Sequence, residues 1–201
     1  MNARADNYYT EKYRLTATHS EVVEAVRQMV PGRALDLSCG NGRNALYLNL
    51  KGFEVSAWDC NRDSLARLEQ IIRDEGLNGI TTAEKDLNNL RFNGAWQLVI
   101  STVVMMFLQP TTIPQLIADM QASTVRGGYN LIVAAMDTPD SPCHVGFPFT
   151  FKSGELSAYY RNWHILKYNE EFGQLHRTDE HGNRISMRFA TLLAQKELVK
   201  D

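Results

Sequence analysis

The sequence predicts an α/β domain: a seven-stranded, mostly parallel sheet with helices on both faces, finished by an antiparallel terminal hairpin. Three observations carry this. Short apolar runs alternate with helix-patterned segments through residue 135, the order that builds a parallel sheet. The first run, Ala34-Leu-Asp-Leu37, passes through a loop holding Gly40 and Gly42 into a helix. Glycines there let the backbone approach a ligand closely, and the helix start offers unpaired N–H groups. Beyond residue 137 the character changes, and Arg184 to Ala194 alternates with Ile185, Met187 and Phe189 on one side, as an antiparallel strand does.

The elements follow in order. Residues 1–17 are polar and aromatic, with Tyr8, Tyr9, Lys12 and Tyr13 close together. Thr18-His-Ser-Glu21 reads as a capping box for a helix from about Ser20 to Met29, stopped by Pro31-Gly32. The first strand spans 33–38, and Asn44 to Leu50 is the helix behind the glycine loop. Glu54 to Trp58 is the second strand, ending on Asp59. Arg62 to Asp74 is helical, with Gly76 to terminate it. A third strand near Ile80 to Glu84 leads to Asp86. Trp96 to Ser101 is the fourth, apolar apart from Gln97, as a strand covered on both faces would be. Ile113 to Ser123 is a helix with Pro114 in its first turn. Arg126-Gly-Gly128 reads as a turn before a fifth strand, Tyr129 to Ala135. A long loop (137–152), a short helix (Ser153 to Tyr160) and a strand (Trp163 to Glu170) precede the last strand. The turn-like His181-Gly-Asn183 joins the hairpin. There is no repeat, low-complexity tract or linker, so residues 1–201 read as one domain.

Composition narrows the function. Of 201 residues, 44% are hydrophobic and 22% charged, ordinary for a globular chain. A formal charge of −2 argues against nucleic acid as a partner, and no apolar run suits a membrane span. Cys39, Cys60 and Cys143 are scattered without a Cys-x-x-Cys pair. That fits a reduced, cytoplasmic protein with no metal site.

The glycine loop alone suits two ligands. Gly40-x-Gly42-x-x-Ala45 satisfies a dinucleotide fingerprint, with Asp59 placed for a ribose. The surroundings favour S-adenosylmethionine (SAM). Asp36 lies in the first strand where it can meet the amino-acid end of that cofactor, and Thr102 follows the fourth strand facing it. Asp59, an acceptor-only carboxylate, suits two ribose hydroxyls, and Asp86-Leu87 stands where adenine would lie. Acidic residues at three successive strand ends are hard to explain as helix caps alone, because ligands bind at the carboxyl ends of parallel strands.

Asn7-Tyr-Tyr-Thr-Glu-Lys-Tyr13, Leu35-Asp-Leu-Ser-Cys-Gly-Asn-Gly-Arg-Asn44, Ser101-Thr-Val-Val-Met-Met-Phe-Leu108, Gly128-Tyr-Asn-Leu-Ile-Val-Ala-Ala-Met-Asp137, Val145-Gly-Phe-Pro-Phe149 and Leu175-His-Arg-Thr-Asp179 carry a resemblance. With them the chain resembles the bacterial tellurite-resistance methyltransferases, the TehB family. The resemblance runs nearly end to end. It implies a class I SAM-dependent methyltransferase fold with its Rossmann-like sheet, and methylation of tellurite and related selenium oxyanions to less toxic volatile species. Ser38, Gly40, Gly42, Arg43 and Asn44 then fall in the cofactor loop. The family's first loop glycine is Ser38 here, a serine that is tolerated if it ends the strand and costly if it needs positive φ.

The acceptor would be a small oxyanion. Transfer to a tellurium(IV) lone pair needs alignment and anion binding more than a base. No Asn/Asp-Pro-Pro-Tyr motif follows the fourth strand, which removes the usual handle for a nucleobase. Near the hairpin turn, Arg177 and Arg184 would come close across the ladder. An unmet pair of guanidiniums there invites an oxyanion, with His176 adding a hydrogen bond; Asp179, Glu180 and solvent could instead neutralise them. The resemblance favours the acceptor role for all three. Cys143-His144 and Asp137 are further candidates near the entrance. Lys12 would reach the cofactor carboxylate if residues 1–17 fold over it as a lid; otherwise that segment packs on the sheet edge. Transfer to another thiol or carboxylate, a non-catalytic SAM-binding protein and a nicotinamide-dependent reductase are the alternatives.

Overall fold

The computed structural model describes residues 4–178 and 180–197, with backbone alone at His176 and Arg177. Seven strands form one sheet in the order β3-β2-β1-β4-β5-β7-β6. They are β1 (Arg33–Leu37), β2 (Glu54–Asp59), β3 (Ile80–Glu84), β4 (Trp96–Thr102), β5 (Thr124–Ala135), β6 (His164–Thr178) and β7 (Arg184–Gln195). The first five are parallel; β7 inserts antiparallel between β5 and β6. The helices are α1 (Tyr8–Lys12), α2 (Ser20–Val26), α3 (Arg43–Leu50), α4 (Arg62–Glu75), α5 (Ile113–Ser123) and α6 (Glu155–Tyr159).

Strand alternation divides the core between the two faces of the sheet. On β1, Ala34 packs with Leu46, Leu65 and Leu68, whereas Leu35 packs with Met105, Ile117 and Tyr160. α4 begins where the Asn61 side chain accepts from Ser64 N–H at 2.9 Å and stops at Gly76, φ 61°, a left-handed position that costs glycine little. Among the described residues, no helix is long and apolar enough to cross a membrane.

Four local expectations are corrected. α2 ends at Val26, not Met29, with Arg27 as its C-cap. Its N-cap is His19, whose Nδ1 accepts from Glu21 N–H at 3.2 Å, while the Thr18 hydroxyl turns to the carbonyl of Arg43. Arg126-Gly-Gly128 lies inside β5 as a bulge: Trp96 pairs with Thr124 and Leu98 already with Tyr129. Gly127 takes φ 73° there, as a bulge residue does. β6 runs on to Thr178, since β7 pairs it as far as Gln174↔Ser186 and Thr178↔Arg184.

Candidate active site

The site is built around the turn after β1. Ser38, Gly40 and Gly42 have φ of 62°, 54° and 87°, so the chain enters the left-handed region at alternate residues. One carboxylate holds this shape: Asp59 Oδ2 accepts from Gly40 N–H at 2.7 Å and from the Ser38 hydroxyl at 3.3 Å, and Oδ1 accepts from Asn61 N–H at 2.8 Å. The glycines differ. A Cβ on Gly42 would lie 2.4 Å from Leu68 Cδ1, whereas one on Gly40 meets nothing within 4 Å. Gly42 is needed for packing; Gly40 keeps a space open. Ser38 corrects the expectation of a strand end: β1 stops at Leu37. A non-glycine residue in this region costs about 1–2 kcal/mol, offset in part by the bond to Asp59.

Above the turn is a cleft of about 200 Å³ lined by Ser38, Gly40, Asn41, Arg43, Asn44 and Thr102, with Leu15 and Thr16 over it. At the end of β1, Asp36 is buried and its Oδ2 has no hydrogen-bond partner. Burial pushes its pKa up to about 7; Asp59 adds to the rise, while the Arg43 charge and the Ala45 N–H oppose it. Such a carboxylate lacks a cation. Asp36 is itself not among the residues lining the cleft, but it lies beneath a turn where Gly40 leaves open space, and it suits a ligand bearing an ammonium group.

Asn44 is a brace. Its amide donates to the Thr102 hydroxyl at 3.0 Å and accepts from His19 N–H at 3.1 Å. Thr18 donates to the Arg43 carbonyl and Arg43 donates to Ala17 O, so residues 15–19 are strapped across the mouth of the cleft. Asp59 is not in the cleft lining. Asp86 is exposed and accepts from Asn88 N–H and the Asn89 amide, and the Leu87 side chain is buried in the core.

Lys12 is placed differently from expectation. Its ammonium meets Glu75 Oε1 at 2.6 Å, at the end of α4, and does not line the cleft. Arg4 and Tyr13 meet the same carboxylate at 2.8 and 2.7 Å. The Glu75 side chain is 3% exposed. Burial raises its pKa, but hydrogen bonds from Lys12 and Tyr13, then the Lys12 and Arg4 charges, hold it below the usual carboxylate value. Its stabilisation is therefore present above the unfolded pKa and lost as pH falls through the lowered one. Glu75→Gln is expected to cost about 1.5–3 kcal/mol near neutral pH. The gap from wild type in denaturant titrations should narrow toward pH 3, and equal midpoints at pH 7 would remove the latch.

A second cavity, of about 320 Å³, adjoins the cleft. His19, Arg43, Val103, Val133, Asn169 and Phe172 are among its lining residues, and Arg43 lines both spaces. Val103 has φ 60°, a true outlier for a β-branched residue, fixed by its N–H bond to Val133 O at 2.7 Å. Strain of this kind gathers at functional sites.

Arg184 opens β7, is exposed, and is not in the cavity wall. The backbone places His176 and Arg177 on the facing strand, and their side chains lie outside the described residues, as does Asp179. Asp137 is paired with Lys152 at 2.5 Å and accepts from Cys143 N–H at 2.8 Å; Cys143 packs beside Met106 and Met187. Sequence reasoning missed Leu15, Thr16, Asn41 and the hairpin's contribution to the cavity. The β6 residues that line it, Asn169 and Glu171 to Leu175, are consecutive but for Glu170, so no alternation marked them in the sequence.

The chain matches the family described as "Tellurite resistance protein TehB" over residues 1–193. The chain belongs to the TehB family. It is 48% identical over 194 residues to "Probable S-adenosyl-L-methionine-dependent methyltransferase TehB" of Haemophilus influenzae, covering 96% of this chain and 68% of the relative. The crystal structure of TehB from H. influenzae superposes with a TM-score of 0.92, covering 96% of this chain and 67% of that one. The chain thus spans about two thirds of these TehB relatives' length. Burkholderia thailandensis 1,6-didemethyltoxoflavin-N1-methyltransferase, with bound S-adenosylhomocysteine, shares the fold at 13% identity and TM-score 0.70, covering 96% of this chain and 84% of its own. The sheet, with its antiparallel β7, is the class I methyltransferase arrangement.

Proposed function

We propose that this TehB-family chain is a SAM-dependent methyltransferase whose acceptor is tellurite, with selenium oxyanions as related substrates. The observation that carries the cofactor is the unpaired, buried Asp36 carboxylate beneath a loop in which Gly40 leaves open space. When bound, SAM supplies a methyl group on a positively charged sulfur that leaves as a neutral thioether. Asp36 binds and neutralises the cofactor's ammonium. Gly40 admits it against the backbone, and the strap over residues 15–19 limits water. Asp59, while bracing the loop, is the residue proposed for the ribose, and the Asp86-Leu87 segment for adenine. The strained Val103 forms a fixed wall of the larger space, which meets the cleft at Arg43, so that donor and acceptor are held in line. No base is required, because a tellurium(IV) centre attacks through its own lone pair. His176, Arg177 and Arg184 are the proposed oxyanion contacts on the β6–β7 hairpin, a role resting on the family resemblance.

A second reading has an observation in its favour. Glu21, Glu171, Val133 and Phe172 line the larger cavity, a wall that also suits a less anionic acceptor such as a thiol. Product analysis separates the two. With tellurite as acceptor, S-adenosylhomocysteine and methylated tellurium should form together and in proportion. Turnover with a thiol but none with tellurite would replace the acceptor. SAM binding without any methylated product would mark a binding protein.

A further inference from the structure

His19 stands where hydrogen bonds join the two spaces. It is half-buried and lines the larger cavity, not the cleft. Its backbone N–H donates to Asn44 Oδ1 at 3.1 Å, and the Asn44 amide donates at 3.0 Å to the hydroxyl of Thr102, which lines the cleft. Its carbonyl accepts from Val22 N–H at 3.0 Å and Val23 N–H at 3.1 Å. The residue is therefore held through its main chain whatever side chain it carries.

The ring is held as well, and with it the tautomer. Nδ1 accepts from Glu21 N–H at 3.2 Å, capping α2. A nitrogen that accepts a backbone N–H carries no proton, and a neutral imidazole then keeps its one proton on the other nitrogen. Nε2 is thus an N–H donor. To take a proton from a substrate, the ring would have to use Nδ1 and give up the cap. The backbone N–H of Glu21 is itself spent on the ring, so the donor here is a side chain and not a helix end.

We propose that His19 is an acceptor-binding residue, its Nε2–H donating to an oxygen of the tellurium(IV) or selenium(IV) oxyanion in the larger cavity. The inference rests on the oxyanion reading above and adds a contact outside the β6–β7 hairpin. It also gives the cavity a preference. The oxyanion's lone pair forms the new bond to the methyl carbon as that carbon's bond to sulfur breaks, with the broken bond's electrons staying on sulfur. No proton has to move, and the acceptor's oxygens need only donors. A thiol must lose its proton to attack, and a ring locked as a donor cannot receive it. His19 therefore favours the oxyanion over the thiol.

The test is His19→Asn in the whole chain. Asparagine is among the best N-cap residues, so it keeps the bond to Glu21 N–H, and the backbone bonds of residue 19 do not depend on the side chain. Its amide ends short of the Nε2 position, so only that donor is lost. The melting temperature should stay at the wild-type value. Affinity for S-adenosylhomocysteine, whose cleft His19 does not line, should stay within about threefold. Calorimetric titration with tellurite at saturating S-adenosylhomocysteine should show affinity about ten- to a hundredfold weaker, the scale of a lost hydrogen bond to a charged group. His19→Ala, which loses the cap too, should also melt at a lower temperature. In wild type, which needs no variant to fold, nitrogen NMR should find the ring proton on Nε2, and that N–H signal should move when tellurite is added. Unchanged tellurite affinity in His19→Asn, or a proton found on Nδ1, overturns the inference and leaves the oxyanion reading standing. So does an equal loss of tellurite and S-adenosylhomocysteine affinity, which would make the side chain part of the strap alone. Failure of wild type to bind tellurite overturns both.

Discussion

Asp36→Asn is expected to make the free protein more stable and the cofactor complex weaker. The carboxyl has an ordinary pKa of 3.8, pushed up to about 7 in the fold, chiefly by burial. Between these values the native state holds more protons than the unfolded one, so stability falls as pH rises through this window. The full penalty is reached above pH 7 and corresponds to about 4 kcal/mol. An asparagine carries no charge, but its amide would sit where Oδ2 now has no partner, at a cost of about 1–3 kcal/mol. The net expectation is a gain of about 1–3 kcal/mol at pH 8 that vanishes between about pH 4.5 and 6 and becomes a loss of similar size near pH 4, read by denaturant titration. SAM affinity should fall by about 1.5–3 kcal/mol, the scale of a lost charged hydrogen bond. A variant less stable than wild type at pH 8, or with unchanged affinity, would show that Asp36 is not the unpaired anion described here.

The second large effect comes from two neighbouring glycines that should respond in opposite ways. Gly42→Ala places a methyl 2.4 Å from Leu68 Cδ1, in the buried core beneath the loop, at φ 87°. Left-handed strain of about 1–2 kcal/mol and overpacking of about 1–3 kcal/mol add together. For a domain of this length the melting temperature should drop by roughly 5–15 °C. Gly40→Ala has φ 54° but open space around the new methyl. It should cost stability only about 1–2 kcal/mol. Its main effect should be on the cofactor, whose volume the methyl enters, with affinity reduced by about tenfold or more. Thermal melts and SAM titrations of the pair test this together. If Gly40→Ala binds SAM as wild type does, the open space is not where the cofactor lies.

Much of this was legible because it is local in sequence. The run from Leu35 to Asn44 fixes strand, turn and helix start within ten residues, but the packing role of Gly42 depends on Leu68 in the next helix and is not written in that spacing. β3 and α5 have the bounds read from the sequence, since apolar pattern and terminators agree there. Ser38 was misread because ending a strand and starting a left-handed turn differ by one residue, and no composition signal separates them. Lys12 was misplaced because Glu75 lies 63 residues away, and four side chains converging on it leave no periodic trace. The extent of β6 depends on its partner: Phe172 and Gln174 count as strand only because Arg188 and Ser186 lie opposite. Val103 is similar, since its backbone is set by Val133 on the neighbouring strand.

The most direct test of the account is titration calorimetry of the whole chain with SAM near pH 7, repeated in buffers of different ionisation enthalpy. The cleft should bind one SAM per chain, and binding should release a fraction of a proton, because the cofactor ammonium ionises Asp36. Asp36→Asn should abolish that release. Absence of SAM binding, or binding of a reduced dinucleotide in its place, would contradict the account at its base.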